Sequence, residues 1–295
     1  MRTIFGILLA ILVASSALLA QEENGKNKVE NRYQDTKESK SENKSTPKGT
    51  DKKSITVRWC GQSYFQLKSA EGDLIVFDPH SMPEFGRQIV KGDMVCISHL
   101  HDDHSQYEVL ENAASLEKEL SKRVFFGLDP KTKGKKFNAI DAKYRSISIR
   151  TVPSYHDAEE GMKRGKNAIF VLEIDGLKVV HLGDLGHDLD DSAVKAIGPV
   201  DILFIPIGGI YTINGDTAKE ILKKLKPKRY IFPMHYGIPS VMEDLQTADE
   251  FLDGQKNIKK IKANEFRIAI DEKVENPTIV MMGWQPDEGS TDKDK

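Results

Sequence analysis

The apolar run Asp93–Ser98, "DMVCIS", ends on His99-Leu100-His101-Asp102-Asp103-His104. A continuous apolar stretch of this length, bounded by turn residues, reads as a buried strand. Three of the chain's eight histidines and two aspartates then follow within six positions. Polar groups this dense cannot sit unpaired in an apolar core, so the strand has to end at a rim where something satisfies them. The segment is either a polar turn that happens to be rich in histidine or half of a metal site.

The rest of the chain repeats the arrangement. "ITVRWCGQSYFQL" (Ile55–Leu67) alternates apolar and polar residues, and a turn at Glu71-Gly72-Asp73 leads to "LIVFDP", which reads as antiparallel strands. Helical spacing runs from Tyr107 to Leu120, and the strands "VFFGL" and "SISIRTVP" follow, the second ending just before His156. "NAIFVLEIDGLKVVHLGD" is a hairpin on the two-residue turn Asp175-Gly176, and it leads to Asp184. "VDILFIPIGG" is another buried strand, Gly215–Leu225 an amphipathic helix, and "RYIFPMHYG" a strand that delivers His235. Buried strands with helices packed outside them imply a layered α/β architecture. His99, His101, Asp103, His104, His156, Asp184 and His235 thus each follow a strand, where loops from one edge of a pair of sheets converge. Imidazole and carboxylate suit Zn²⁺ and related divalent ions. Five imidazoles and two carboxylates are too many for one tetrahedral ion and suit two ions with a shared ligand.

With these residues in view, the sequence resembles the metallo-β-lactamase superfamily. His99-Leu100-His101-Asp102-Asp103-His104 matches its H-x-H-x-D-H signature, and His156, Gly183-Asp184 and His235 match the later motifs in order. "GGIYTINGDTA" and "PMHYG" look most like the branch that holds ascorbate-6-phosphate lactonases, N-acyl-phosphatidylethanolamine phospholipase D and many metal-dependent hydrolases. The resemblance covers roughly residues 54–284 and implies a four-layered αββα sandwich. It further implies that His99, His101 and His156 bind one metal, that Asp103, His104 and His235 bind the other, and that Asp184 bridges them. Zn is the first expectation for both ions, with Mn or Fe as alternatives. The implied reaction is hydrolysis of an ester, lactone or phosphodiester by a hydroxide shared between the two cations, with Asp103 orienting the nucleophile. Two departures from the family pattern, Gln62 where many relatives carry His and Leu185 where many carry Thr, fall at positions that are not metal ligands. A metal-binding chain without catalysis and an iron-dependent oxidoreductase on the same fold are the alternatives; β-lactam hydrolysis is disfavoured.

Charge and cysteine narrow the partners. Residues 1–53 hold 10 basic and 7 acidic residues, so of the chain's 43 and 45 the remainder keeps 33 and 38, a formal charge of −5. That bias argues against nucleic acid and leaves a small-molecule substrate, with an anionic one open. The leading "MRTIFGILLAILVASSALLAQ" has the pattern of a signal peptide, placed at 1–20, so export to the periplasm or medium is expected, with an uncleaved anchor as the lesser reading. No other membrane segment is expected. Residues 21–53 and 285–295 read as disordered polar segments on either side of one domain. Cys60 and Cys96 sit in strand-like runs; an exported chain can oxidise such a pair, but two buried thiols is the preferred reading.

Several residues near the ligands stay open. Asp78 in "FDPH" is expected to brace the 99–104 loop, and His181 to be a core imidazole. His187, three residues beyond Asp184, is a candidate catalytic proton donor, and His80 a weaker one; an ordinary loop role is the simpler reading for both. Tyr211 and Tyr236 either donate to a substrate or pack. "DAEEGMKRGKNA" (Asp157–Ala168) is either an anion-binding loop, through Lys163, Arg164 and Lys166, or a solvated one.

Overall fold

The computed structural model describes residues 53–286. The expected leader, the linker up to its last residue and the tail from 287 lie outside them. Fourteen strands are present among the described residues. They are β1 (Ser54–Trp59), β2 (Phe65–Lys68), β3 (Leu74–Phe77), β4 (Met94–Ile97), β5 (Val124–Phe126), β6 (Asp141–Tyr144) and β7 (Ile147–Tyr155), followed by β8 (Lys166–Ile174), β9 (Leu177–His181), β10 (Ile202–Pro206), β11 (Tyr230–Met234), β12 (Ile258–Lys260), β13 (Glu265–Ala269) and β14 (Thr278–Met281). The helices are α1 (Ala113–Glu117), α2 (Leu120–Arg123), α3 (Asp191–Ile197), α4 (Gly215–Leu225) and α5 (Asp249–Leu252). None is long and apolar enough to cross a membrane.

The strands form two mixed sheets, the α/β sandwich expected. One runs β13-β1-β2-β3-β4-β5 and the other β12-β14-β11-β10-β9-β8-β7-β6. Their facing sides fill with aromatic and branched residues: the Phe65 and Phe204 rings stand 4.5 Å apart, and Phe77 stacks on His181 at 4.9 Å. Alternation along β3 and β4 sends Ile75, Phe77, Met94 and Cys96 into this core. Val76, Val95 and Ile97 go to the opposite face, where Leu110 and Leu116 from the 107–123 segment cover them. Cys60 belongs to that outer cluster and Cys96 to the inner one; both are free, as the buried-thiol reading expects.

Local chemistry sets the connections. Asp175 and Gly176 take φ of 52° and 79°, the left-handed pair of a two-residue hairpin turn whose twist matches that of β8 and β9. Asn214 caps α4 by accepting from the Thr217 amide at 3.1 Å, so this helix spans the residues expected. The single helix expected over 107–120 is instead a 3-10 turn at Tyr107–Val109 and the short α1 and α2. The Glu111 amide bonds the Val90 carbonyl, and the Asn112 side chain pairs with both backbone groups of Gly92. These contacts to a neighbouring loop replace the helical bonds that would make the segment continuous. Within the two sheets, β3 and β4 run parallel, as do β9, β10 and β11, so their carboxyl ends gather at one edge.

Candidate metal centre

The first wall of the site is built where β4 ends. Asp78, at the end of β3, accepts the Ser98 amide at 2.7 Å and the Ser98 hydroxyl at 2.6 Å. Its Oδ2 also lies 3.2 Å from His104 Nδ1. One carboxylate therefore fixes both ends of the 98–104 loop, the bracing role read from the sequence. Across the sandwich the Ser98 carbonyl accepts the Ala168 amide at 3.0 Å, which ties this loop to the start of β8. A Cβ on Gly183 would lie 2.3 Å from Asn167 Oδ1 and 2.7 Å from Ser98 Cβ, so only glycine admits this approach.

The second wall comes from the other sheet. His156 follows β7, and its amide bonds the Gly165 carbonyl at 3.0 Å. Asp184 follows β9; its amide donates to Asn167 Oδ1 at 3.0 Å, and its Oδ1 accepts from Ser63 Oγ at 3.3 Å. His235 follows β11 with φ of 50°, and its amide points at the Gln62 carbonyl 3.4 Å away. Ser63 and Asn167 were not anticipated from the sequence. Asn167 sits buried at the head of an otherwise apolar strand, and a polar residue in that position was the available signal.

All seven expected ligands meet. His99, His101 and His156 offer nitrogens that lie within 4.8 Å of one another, and so do the ligand atoms of Asp103, His104 and His235. His99 Nε2 and His101 Nδ1 are 3.1 Å apart. Asp184 Oδ2 stands between the trios, 3.2 Å from His156 Nε2 and 3.9 Å from His99 Nε2 on one side, and 3.1 Å from both His104 Nε2 and His235 Nε2 on the other. Ligands about 2.05 Å from a tetrahedral cation stand roughly 3.3 Å from each other, so these spacings fit ions at the foci of the two trios. His104 Nε2 is also buried without a hydrogen-bond partner, its carboxylate neighbours lying off the hydrogen-bond direction. A buried ring nitrogen that no protein group satisfies suits the donor set a divalent cation takes. Asp78 falls in a third cluster with His99 and His104, but Ser98 engages both of its oxygens, so it orients the ligands.

The electrostatics match this role. Burial pushes the His99 imidazole well down, and the charge on His104 adds to it. Burial works against an imidazolium at His104 as well, yet Asp184 and Asp103 overcome it and hold His104 well above the usual histidine range. Asp184 stays ionised despite its burial because His104 and His235 face it. A proton on His104 thus balances the carboxylates, and a cation bound there would take its place. His101 is exposed and Asp103 half-buried, so the centre opens to solvent on their side.

Three of the open residues are placed elsewhere. His187 engages Nε2 with the Tyr155 amide at 3.1 Å and Nδ1 with the Asp188 carbonyl at 2.6 Å, so both ring nitrogens are taken up by backbone groups, in keeping with the simpler loop reading. His80 is buried, held between the Gly61 carbonyl and the Met82 amide, so it too is structural. Tyr236 stacks on Trp59 at 5.6 Å and packs, whereas Tyr211 is exposed. His181 bonds the Ser63 carbonyl inside the core, as expected.

Residues 56–235 match the model of the beta-lactamase superfamily domain. A metal-dependent hydrolase of the UPF0173 family from Archaeoglobus fulgidus is 30% identical over 212 residues, which cover 64% of this chain and 87% of that protein. One from Thermoplasma volcanium is 28% identical over 202 residues, covering 64% and 86%. A crystal structure from Thermotoga maritima, assigned to the Zn-dependent hydrolases of the metallo-beta-lactamase superfamily, aligns with a TM-score of 0.57 at 29% identity, over 78% of this chain and all of that one. The chain belongs to the metallo-beta-lactamase superfamily and, within it, to the UPF0173 metal-dependent hydrolases.

Proposed function

We propose that this hydrolase works with two divalent cations, one held by His99, His101 and His156, the other by Asp103, His104 and His235, with Asp184 between them. The observation that carries the reading is the position of Asp184 Oδ2, within 3.9 Å of an imidazole nitrogen of each trio. When bound, such ions supply Lewis acidity: they acidify water and stabilise negative charge that develops on an attacked ester or phosphoryl oxygen. Zn is the first candidate, in keeping with the assignment of the Thermotoga maritima relative, and Mn or Fe suit the same donors.

The protein's own part is placement. Asp78, Ser98 and Asn167 hold the ligating groups against the entropy of free side chains. Asp103, whose side chain is 37% exposed, is the carboxylate best placed to orient an incoming nucleophile and accept its proton, and it is the one catalytic residue we assign. The reaction we assign is hydrolysis of a small ester, lactone or phosphodiester, in line with the lactonase- and phospholipase-like motifs around Gly208 and His235. We assign its place outside the cytoplasm, from the leader at 1–20.

The test is turnover of purified chain loaded with Zn, Mn or Fe against a panel of lactones, carboxylic esters and phosphodiesters, alongside oxygen uptake. Hydrolysis that disappears in His101→Ala supports the reading. Oxygen consumption without hydrolysis in the Fe form would replace it with a redox one.

A further inference from the structure

The loop after His156 carries three cations, and the structure treats them differently. Lys163 is paired with Glu159. Lys166 sits over the rings of Phe137 and Tyr155, at 4.6 and 5.1 Å. Arg164 is half-buried and has no carboxylate partner among the described residues; its guanidinium lies over the Tyr211 ring at 5.4 Å. A stacked guanidinium keeps its in-plane N–H fork available, and that fork matches a carboxylate or phosphate.

The backbone of this pair is tied to segments that carry the ligands. Arg164 donates its amide to Asp157 at 2.7 Å, and the neighbouring Gly165 carbonyl holds the His156 amide. The loop bearing Tyr211 is anchored by the bond from the Ile213 amide to the Leu185 carbonyl, beside Asp184. At Gly208 it passes so close to His235 that a Cβ would come within 2.1 Å of that carbonyl oxygen. The stack therefore spans two loops whose bases carry His156 on one side and Asp184 and His235 on the other.

Beside it lies apolar surface. Met162 is 82% exposed and Ile210 54%, and with Tyr211 they make up three of the four exposed large apolar side chains of the described residues. Ile210 also takes φ of 56°, an unfavourable conformation for a β-branched residue. A strained backbone that turns an apolar side chain to water points to a ligand-contacting position.

We infer that Arg164, stacked on Tyr211, binds the anionic group of an amphipathic substrate whose apolar portion rests on Met162 and Ile210. This rests on the hydrolase reading above and names its substrate class. The test is calorimetric binding of phenylphosphonate and phenylacetate to the metal-loaded full chain, with inorganic phosphate as the counterpart lacking a ring. The expected result is saturable binding of one or both aromatic anions, weakened about tenfold in Arg164→Gln (~1.4 kcal/mol) at unchanged metal content and melting temperature. Arg164→Lys recovers only part of it, because an ammonium keeps the charge but not the fork. The double variant Met162→Ser/Ile210→Ser weakens the aromatic anions and leaves inorganic phosphate alone. Which aromatic anion depends on Arg164 separates a phosphoryl from a carboxylate substrate. Absence of binding by both, or Arg164→Gln within twofold of wild type for both, overturns the inference. The metal reading stands or falls separately on metal content.

Discussion

Asp78 Oδ2 lies 3.2 Å from His104 Nδ1 and accepts its N–H, which turns the other ring nitrogen toward Asp184, 3.1 Å away. A carboxylate one strand earlier in the sequence thereby sets which nitrogen of His104 faces the centre. Asp78→Asn puts an N–H group where that acceptor stood, against His104 or against Ser98. Loss of such an orienting partner costs about 10–100-fold in metal affinity. Competition against a chromophoric chelator should show that loss, with the fold retained by circular dichroism; wild-type affinity would remove Asp78 from the account.

Backbone contacts at the rim give a second expectation. A Cβ on Gly208 would lie 2.1 Å from the His235 carbonyl oxygen, while one at Gly254 meets nothing within 4 Å and suffers only from its φ of 73°. Gly208→Ala should lose about 1–3 kcal/mol by overpacking, along with part of its bound metal, because His235 must move. Gly254→Ala should lose about 1 kcal/mol and keep its metal. Thermal unfolding with metal analysis of both variants checks the contrast.

Stability should fall toward acid through His80. Its Nε2 donates to the Gly61 carbonyl at 3.1 Å and its Nδ1 accepts from the Met82 amide at 3.2 Å, a neutral ring in a dry site. Burial pushes its pKa from 6.5 to about 4. Between those values the unfolded chain takes up a proton that the folded one refuses, so the stability His80 allows is whole above pH 6.5 and declines as pH drops to 4. The loss is on the order of 3 kcal/mol. Denaturant titrations of metal-free wild type and His80→Gln across this range should show a shallower slope for the variant. Parallel slopes would contradict it.

Cys60 and Cys96 should behave as inert thiols. They occupy different faces of the first sheet, and burial pushes the Cys60 thiol up to about 12. A thiol reagent should find neither in the folded chain and both in denaturant, with or without prior reduction. Rapid labelling of the native protein would show a looser core than the one described.

The ligands were legible because each directly follows a run whose apolar pattern marks a strand, and strand ends converge whatever the loops do. The Asp175-Gly176 turn and the helix over Gly215–Leu225 were equally readable, since turn chemistry and helical periodicity are local. The segment 107–120 was not, because its competitors for hydrogen bonds, Val90 and Gly92, lie far off in sequence. The same holds for β13, whose residues 265–269 return to pair with β1 at 54–58, and for Ser63 and Asn167, which matter only once the two sheets meet. His187 illustrates the converse: proximity to Asp184 in sequence did not free it from the backbone groups of Tyr155 and Asp188.

The most direct measurement is metal stoichiometry of the purified chain by elemental analysis, for wild type and Asp184→Ala. Asp184 Oδ2 faces imidazoles of both trios. Two ions per chain in the wild type, with both sites weakened by the single substitution and hydrolysis lost with them, is the outcome expected. Full hydrolytic activity in a chelator-treated chain that holds no metal, or an Asp184→Ala chain that still binds two ions as tightly, would contradict the account.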